Sequence, residues 1–384
     1  MIPYGKHDLT EKDINRVLKV LKSDFLTQGP EVEKFEKNIS LYCKNKYSVA
    51  VNSATSALHI SCLALGLGKG DYLWTSAISF VASSNCALYC GAKVDFVDID
   101  PDTYNLCPNK LEEKLKVAKK EDRLPKILVP VHLSGQPADL QKIKNLSNKY
   151  NFKIIEDASH AIGAEFKGNL IGDCKYSDVC VFSFHPVKII TSAEGGMALT
   201  NNKDTYEKMK ILRTHGITRD KNKFNTSYNP SIHYEQIDLG FNYRMNDLQA
   251  ALGSSQLKNI DEKIKKRREI ASFYDEKLAD LPMKIPFQIE DRISSYHLYI
   301  IKLDEDLKVS KEELIKHFKK NGVYLSFHYM PIFLHKYYEN RKYLREDFPE
   351  AMSYYKNALS IPIYPKLSKK DQKFIINLFK KYTY

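Results

Sequence analysis

Long apolar runs are missing from this sequence of 384 residues. No stretch reaches the roughly 18 consecutive apolar residues that a membrane-spanning helix needs, so we expect no membrane span. Residues 1–8 also lack the apolar run and the small-residue cleavage site of a secretory signal. We therefore expect a cytoplasmic protein, and its 43% of hydrophobic residues is enough for a buried core in two or three domains.

Paired cysteines are missing as well. The seven cysteines are an odd number scattered between positions 43 and 180, and none stands in a Cys-x-x-Cys pair. Most of them lie within apolar runs. We therefore expect buried, reduced thiols, with neither a disulfide framework nor a metal site.

Signals for nucleic-acid binding are also lacking, although the net charge is +12. No basic block alternates with stacking aromatic residues, and no zinc-finger spacing occurs. Basic runs such as 262–268 are typical of a solvated helix surface. We expect no nucleic-acid partner, and we expect the positive field to favour encounter with a small dianionic substrate.

Short apolar runs alternate with helical patterns through the first half of the chain. A helix is expected to begin after Thr10, and further helices are predicted at 109–119 and 138–150. The predicted strands are 48–51, 94–98, 126–131, 153–156, 178–182 and 197–199. Such alternation predicts an α/β domain with a mostly parallel central sheet that is covered on both faces.

The last third of the chain predicts a smaller α+β domain. Residues 246–277 favour one long helix or a broken pair that connects the two domains. The elements predicted beyond it are a strand at 295–303, a helix at 311–321, a strand at 323–328 and a helix at 369–381. We therefore divide the chain into an N-terminal arm with a large domain, 1–250, and a connector helix with a small C-terminal domain, 251–384.

The first chemical signal is the segment 51–58, where an apolar strand runs into small and hydroxylic residues. The free N–H groups of the first helical turn, with the hydroxyls of Ser53 and Thr55, form a ready anion site. A plain helix cap has the same composition, so this segment alone leaves both interpretations open.

The second signal is an acidic pair, Glu156 and Asp157, at the end of a predicted strand. A carboxylate there can lie beside a heteroaromatic nitrogen and keep it protonated, which makes a pyridine ring an electron sink. The alternative is a loop carboxylate that caps the next segment.

The third signal is Lys188, a single lysine among Val187, Ile189 and Ile190. Burial of an unpaired ammonium is costly, so desolvation lowers a lysine pKa and yields a nucleophilic amine that can form a Schiff base. A surface lysine with its stem on apolar neighbours is the alternative. Glycines 195 and 196 then form a turn into the strand at 197–199.

The fourth signal is the segment 240–246, directly ahead of the connector helix. Asn242 and Arg244 could bind phosphate or carboxylate there, or the loop could merely cap the helix. Together, an anion-binding helix start, a strand-end aspartate and a desolvated lysine match the parts that pyridoxal phosphate requires.

With these motifs, the chain resembles the DegT/DnrJ/EryC1/StrS sugar aminotransferases. The likeness covers about Tyr4 to Lys370 and rests on the segments 52–58, 156–161, 183–188, 194–196 and 240–245. It implies a fold-type-I (aspartate aminotransferase-like) α/β protein whose large domain binds pyridoxal 5′-phosphate. It also implies a homodimer with shared active sites, which moves the amino group of L-glutamate to a nucleotide sugar.

The resemblance also assigns roles to individual residues, and it implies no metal. Lys188 holds the cofactor and shuttles the proton, Asp157 pairs with the pyridine nitrogen, and His160 lies near the phenolic oxygen. The other cofactor-binding residues that it implies are Ala54, Thr55, Phe80, Ser183 and, from the neighbouring subunit, Asn242. The substrate-binding residues that it implies are Tyr4, Asp24, Phe25, Leu26, Thr27, Ala54, Ser183, His185, Arg244, Phe327, His328, Tyr329 and Met330.

The implied acceptor is a UDP-linked 4-keto-6-deoxy-N-acetylhexosamine aminated at C4, on the segments 26–29, 78–82, 159–161 and 327–331. Met330 and the segment 130–136 depart from that branch, which leaves a perosamine-type or bacillosamine-type substrate as an alternative. Two further alternatives are a sugar dehydratase, which would need Lys188 replaced by histidine, and a non-catalytic pyridoxal-phosphate-binding regulator. Such regulators usually carry a DNA-binding domain, for which the first 50 residues leave no room.

Overall fold

The structure is a computed structural model and describes residues 1–224, 233–341 and 343–383. Its helices are α1 (Glu11–Leu21), α2 (Pro30–Cys43), α3 (Ala54–Ala64), α4 (Ala82–Tyr89), α5 (Pro108–Lys120), α6 (Leu140–Tyr150), α7 (Lys203–Arg213), α8 (Asp247–Leu257), α9 (Ile260–Leu278), α10 (Lys311–Lys320), α11 (Pro349–Asn357) and α12 (Lys369–Thr383). Its strands are β1 (Tyr47–Val51), β2 (Tyr72–Ser76), β3 (Lys93–Val97), β4 (Ile127–Val129), β5 (Lys153–Asp157), β6 (Glu165–Phe166), β7 (Asn169–Leu170), β8 (Val179–Ser183), β9 (Gly196–Thr200), β10 (Ile217–Thr218), β11 (Glu235–Gln236), β12 (Met283–Lys284), β13 (Arg292–Ile293), β14 (Tyr299–Leu303) and β15 (Ala358–Ile361).

A seven-stranded sheet in the order β1-β9-β8-β5-β4-β2-β3 forms the centre of the first part of the chain. Strands β8, β5, β4, β2 and β3 are parallel, and β9 alone runs antiparallel to its neighbours β8 and β1. The carboxyl ends of β1, β8, β5 and β2 therefore meet at one edge of the sheet, together with the start of β9. The predicted α/β class and mostly parallel sheet are confirmed.

Both faces of this sheet are covered, as the apolar runs predict. In β4, Ile127 and Val129 lie in one hydrophobic cluster with α3 and α4, whereas Leu128 lies in another with α5 and α6. In β5, Ile155 joins the first cluster and Ile154 the second. Since successive side chains of a strand point to opposite faces, near-continuous apolar runs are what a doubly covered sheet needs.

A separate antiparallel sheet, in the order β12-β14-β15, lies in the last third of the chain. It packs with α9, α10 and α12 in a hydrophobic cluster of its own. The predicted broken helix pair is confirmed as α8 and α9, and Asn246 begins α8 with a capping box to Gln249. The predicted division at 250/251 falls within α8, and the division into domains stays a prediction.

One predicted strand is wrong, and of the strands longer than two residues β2 and β15 were missed. Residues 323–328 form no strand, because Val323 and Ser326 make only isolated bridges, to Ile2 and Ser360 respectively. The predicted strand at 295–303 begins only at Tyr299, and β2 and β15 were not predicted. No helix in the described part of the chain is long and apolar enough to cross a membrane. All seven cysteines are free.

Candidate active site

The predicted site residues gather at the edge of the large sheet where its parallel strands end. Asp157 ends β5, Ser183 ends β8, and Ala54 begins α3 shortly after β1. Phe80 follows β2, and Lys188 lies in the loop between β8 and β9. Open α/β sheets bind ligands at this edge because loops of neighbouring strands converge there.

Lys188 lies half-buried in that loop, and its backbone N–H donates to the carbonyl of His185 at 2.9 Å. Its amine lies close enough to Asp157 for the two charges to interact. Burial lowers the pKa of Lys188 to about 8, against the opposing attraction of the Asp157 carboxylate. Within the described residues no hydrogen bond or ion pair holds the Nζ, so this amine is available to a ligand.

Asp157 is the buried carboxylate opposite this amine, with 4% of its surface exposed. Its Oδ2 accepts from the Ser83 hydroxyl at 2.7 Å, and its Oδ1 accepts from the Ser159 N–H at 3.1 Å. Each oxygen keeps a lone pair for a further donor. Asp157 can therefore bind a protonated ring nitrogen while its own orientation is fixed.

Glu156, its neighbour in sequence, points to the other face of the sheet and pairs with buried His132 at 2.8 Å. The Nδ1 of His132 accepts from the Ala138 N–H at 3.0 Å, so Nε2 carries the proton that Glu156 accepts. Of the acidic pair that the sequence offers, only Asp157 faces the site.

His160 lies beside Lys188 in an aromatic environment. Its Nδ1 accepts from the Ser134 N–H at 3.3 Å, and its Nε2 lies 3.1 Å from the Tyr329 hydroxyl. The ring of His297 packs on His160 with centroids 4.4 Å apart. Burial, and next the charge of Lys188, hold the pKa of His160 well below its usual value. The ring is therefore a neutral hydrogen-bonding group at neutral pH.

His328 and Tyr4 close the site on the side of the second sheet. Burial and then the Lys188 charge lower the pKa of His328 to about 4, and its Nδ1 lies 2.8 Å from the Ser360 hydroxyl. The Tyr4 ring lies 5.0 Å from that of His328. The N-terminal residue Tyr4 and the segment 327–330 are thus neighbours.

A cradle for an anion lies at the start of β9. Gly196 pairs with Ser183, and a Cβ on Gly196 would lie 2.5 Å from the backbone nitrogen of Ala54. The first turn of α3, with Ala54 and Thr55, therefore packs directly on the glycine. Ser53 caps this helix by accepting from the Ser56 N–H at 3.1 Å. Helix N–H groups and the Ser183 hydroxyl can together bind a phosphate.

Phe80 is 56% exposed and lies 5.9 Å from the Tyr329 ring, on the open side of the site. An exposed aromatic face at this place is suited to stack on a planar ring. The site thus combines the exposed ring of Phe80, the interacting pair of Lys188 and Asp157, and a phosphate cradle at α3. This arrangement fits pyridoxal phosphate.

Several predicted residues lie at the surface or contact other parts of the chain. Asn242 is exposed and bridges to Thr214, and Arg244 bridges to Val51. His185 is exposed at the surface of its loop, Phe327 packs on Tyr355, and Met330 is half-buried. The four residues Asp24, Phe25, Leu26 and Thr27 are exposed.

Sequence reasoning missed three residues of the site. Ser83 fixes Asp157, His297 packs on His160, and Ser134 donates to His160. Ser83 lies three residues after Phe80, in the helix that follows β2. Its closeness in sequence to a predicted site residue could have identified it. His297 and Ser134 reach the site through long-range packing, for which the sequence has no local signal.

Comparisons with known proteins agree with this geometry. The chain matches the DegT/DnrJ/EryC1/StrS aminotransferase family over residues 7–380. It is 39% identical over 377 residues to the UDP-4-amino-4,6-dideoxy-N-acetyl-beta-L-altrosamine transaminase of Campylobacter jejuni subsp. jejuni serotype O:23/36 (strain 81-176). The aligned region covers 98% of this chain and 96% of the relative.

Two solved structures extend the likeness to the fold. Helicobacter pylori PseC, an aminotransferase involved in the biosynthesis of pseudoaminic acid, has a TM-score of 0.90 and 30% identity, covering 100% of this chain and 99% of its own. The putative sugar aminotransferase Spr1654 from Streptococcus pneumoniae, in its PMP form, has a TM-score of 0.89 and 29% identity, covering 99% and 98%.

Proposed function

Because this chain belongs to the DegT/DnrJ/EryC1/StrS aminotransferase family and is a pyridoxal-phosphate-dependent transaminase, we propose that its acceptor is a UDP-linked 4-keto-6-deoxy-N-acetylhexosamine. In this proposal L-glutamate donates the amino group, C4 of the sugar receives it, and the product serves pseudaminic acid biosynthesis. The facing pair of Lys188 and Asp157 carries the transamination chemistry. The Campylobacter jejuni and Helicobacter pylori relatives support the choice of sugar.

Bound pyridoxal phosphate supplies an electron sink for the carbanion that amino transfer requires. Lys188 would hold it through Nζ, Asp157 would bind its ring nitrogen, and Ala54, Thr55 and Ser183 would bind its phosphate. The Asp157 carboxylate, fixed by Ser83, would keep the ring nitrogen protonated.

The amine of Lys188 then acts as the proton carrier of the reaction. With a pKa of about 8, it is present both as free amine and as ammonium near neutral pH. A free amine at Nζ takes the proton from the donor carbon, and the ammonium returns a proton to C4 of the sugar. A pKa near the working pH suits a group that must act first as base and then as acid.

The proposal includes a homodimer with shared active sites. Asn242 is exposed and lies in a segment held to β1, where the Asn52 N–H donates to the Tyr243 carbonyl at 2.9 Å. This rigid attachment suits a side chain that reaches a neighbouring subunit's phosphate cradle, the role that the family resemblance implies. UDP-sugars and glutamate are metabolites of the cytoplasm, which is where we propose that the protein acts.

The test is amino transfer from ¹⁵N-labelled glutamate to a panel of 4-keto sugars linked to UDP, dTDP or GDP, with product structure by NMR. We expect ¹⁵N at C4 of a UDP-linked 6-deoxy-N-acetylhexosamine. A preference for the GDP or dTDP sugars would reject the proposed acceptor while leaving the transaminase activity intact.

Lys188→Ala is expected to abolish turnover. Lys153→Ala is the matched control, since Lys153 is an exposed lysine of β5 paired with Asp178 at 3.1 Å. Turnover that survives in the Lys188 variant would reject the catalytic assignment.

A further inference from the structure

Three cysteines and a histidine meet between α3 and α4, outside the residues that the proposed reaction uses. His59 and Cys62 share one face of α3, because residues three apart in a helix are neighbours. Cys86 in α4 and Cys90, which caps α4, are four apart and share a face too. The thiol of Cys62 interacts with those of Cys86 and Cys90.

Cys90 is the accessible member of this thiol cluster (Cys62, Cys86 and Cys90). It is partly exposed, whereas Cys62 and Cys86 are fully buried. His59 contacts Cys90 and is itself held by the Tyr243 hydroxyl, 3.2 Å from its Nδ1. The exposed thiol therefore has one neighbouring thiol and one imidazole that can donate hydrogen bonds to its sulfur.

These donors favour the thiolate of Cys90. The Cys62 thiol, followed by the His59 ring, lowers the pKa of Cys90 to about 6 in spite of its burial. In the neutral form the Cys90 S–H donates to the Cys86 carbonyl at 3.2 Å, but an S–H is a weak donor and does not outweigh two interactions with the thiolate. A thiolate that is partly exposed is the reactive form of cysteine.

We propose that Cys90 is a thiol–disulfide exchange site for low-molecular-weight disulfides, with Cys62 as its resolving thiol. The Cys90 thiolate attacks one sulfur of the small disulfide, whose S–S bond breaks and releases one small thiolate. Burial, followed by the neighbouring sulfurs of Cys86 and Cys90, raises the pKa of Cys62, so its proton passes to the departing sulfur as it attacks the Cys90 sulfur of the mixed disulfide, and the second small thiol leaves. Two protein thiols are oxidised to one disulfide, and the small disulfide is reduced to two thiols.

The position of the cluster connects it with the active site. Ser83 lies on α4 three residues before Cys86, and it is the donor that fixes Asp157. His59, in contact with Cys90, is bonded to Tyr243, the residue after Asn242. A bridge between Cys62 and Cys90 would tie α3 to the end of the helix that orients the catalytic carboxylate.

The first test measures alkylation of the wild-type holoenzyme by iodoacetamide between pH 5 and 9, with each cysteine followed by peptide mass spectrometry. Cys107, which is also partly exposed, is the internal reference. At pH 6 about half of a thiol with pKa 6 is thiolate, against about 0.3% at an ordinary pKa of about 8.5. A thiolate with a lower pKa is also a weaker nucleophile, which reduces this ratio roughly tenfold. We expect Cys90 to react about tenfold faster than Cys107 at pH 6, and equal or slower labelling of Cys90 would overturn the proposal.

The second test exposes the holoenzyme to glutathione disulfide. We expect a loss of two hydrogens that maps to a peptide pair containing Cys62 and Cys90, reversed by dithiothreitol. Cys62→Ser is expected to stop at a glutathione adduct on Cys90, and Cys107→Ser to behave as wild type. A disulfide in another pairing, or adducts at Cys107 in place of Cys90, would contradict the assignment, and the wild-type mapping decides it even where a variant folds poorly.

Discussion

The Ser83 hydroxyl donates a hydrogen bond of 2.7 Å to Oδ2 of Asp157, and thereby joins α4 to the end of β5. Both partners are buried, Ser83 completely and Asp157 with 4% exposed. A hydrogen bond to a carboxylate in such a place fixes the position and the orientation of the carboxylate. Ser83 is therefore a positioning residue for the aspartate that would bind the protonated ring nitrogen of the cofactor.

Replacement of Ser83 by alanine is expected to lower kcat about tenfold, because the lost bond to a carboxylate is worth roughly 1.4 kcal/mol in the transition state. The KM for glutamate should change little, and Ser83→Thr should restore much of the rate. The control is Ser84→Ala, since buried Ser84 bonds to Tyr338 and not to Asp157. Equal losses of kcat in the Ser83 and Ser84 variants would show a general packing effect and contradict the positioning role of Ser83.

Cofactor capture by the apoprotein is expected to depend on pH through Lys188. Burial lowers the pKa of this amine to about 8, so its neutral form dominates above pH 8 and falls tenfold for each pH unit below it. Stopped-flow absorbance with pyridoxal phosphate gives the rate. The rate with Nα-acetyllysine, divided by the free-amine fraction that its ordinary pKa of about 10.4 sets, gives the correction for ionisation of the cofactor. The corrected rate should level off near pH 8. A rate that still rises at pH 10 would indicate a solvated lysine.

Local patterns in the sequence predicted most of the strands and helices that position the site in the large domain. The capping box of Thr10 with Asp13 marks the start of α1, and the apolar runs of β5 and β8 mark the strands that deliver Asp157 and Ser183. Periodicity and caps depend on neighbours within a few residues, so a single sequence contains them. The same holds for Lys188, whose apolar neighbours Ile189 and Ile190 are buried.

The features that the sequence did not predict depend on contacts between residues that are far apart along the chain. Residues 323–328 have a strand-like composition, yet Val323 finds only Ile2 and Ser326 finds only Ser360 as bridge partners. The packing of His297 on His160 joins residues from different parts of the chain. Strand pairing of this kind is set by tertiary context rather than by local preference.

Gly196→Ala is expected to damage the phosphate cradle. The new Cβ would lie 2.4 Å from the carbonyl carbon of Ser53 and 2.5 Å from the nitrogen of Ala54, so the start of α3 must shift. We expect cofactor affinity to fall at least tenfold, measured by absorbance titration. Gly68→Ala is the matched control, because nothing lies within 4 Å of a Cβ there. A Gly196 variant that binds the cofactor as wild type does would contradict the cradle.

Acid is expected to destabilise the fold between about pH 6.5 and 5 through the buried histidines of the site. Burial lowers the pKa of His160, His297 and His328, the last to about 4. Above pH 6.5 these rings are neutral in the folded and unfolded chains, so they add no pH dependence. Below it the unfolded chain binds protons that the folded chain refuses, and each histidine lowers the free energy of unfolding by about 1.4 kcal/mol per pH unit.

His328→Asn tests this relationship, since asparagine retains a polar group for the Ser360 hydroxyl but cannot be protonated. The thermal midpoint of the variant should fall less steeply than that of the wild type from pH 6.5 to 5, a window above the range in which most carboxylates titrate. Exposed His7 is the control, and His7→Asn should retain the wild-type slope. If the slopes of the His328 variant and the wild type coincide, His328 takes up its proton in the folded protein, and burial does not lower its pKa.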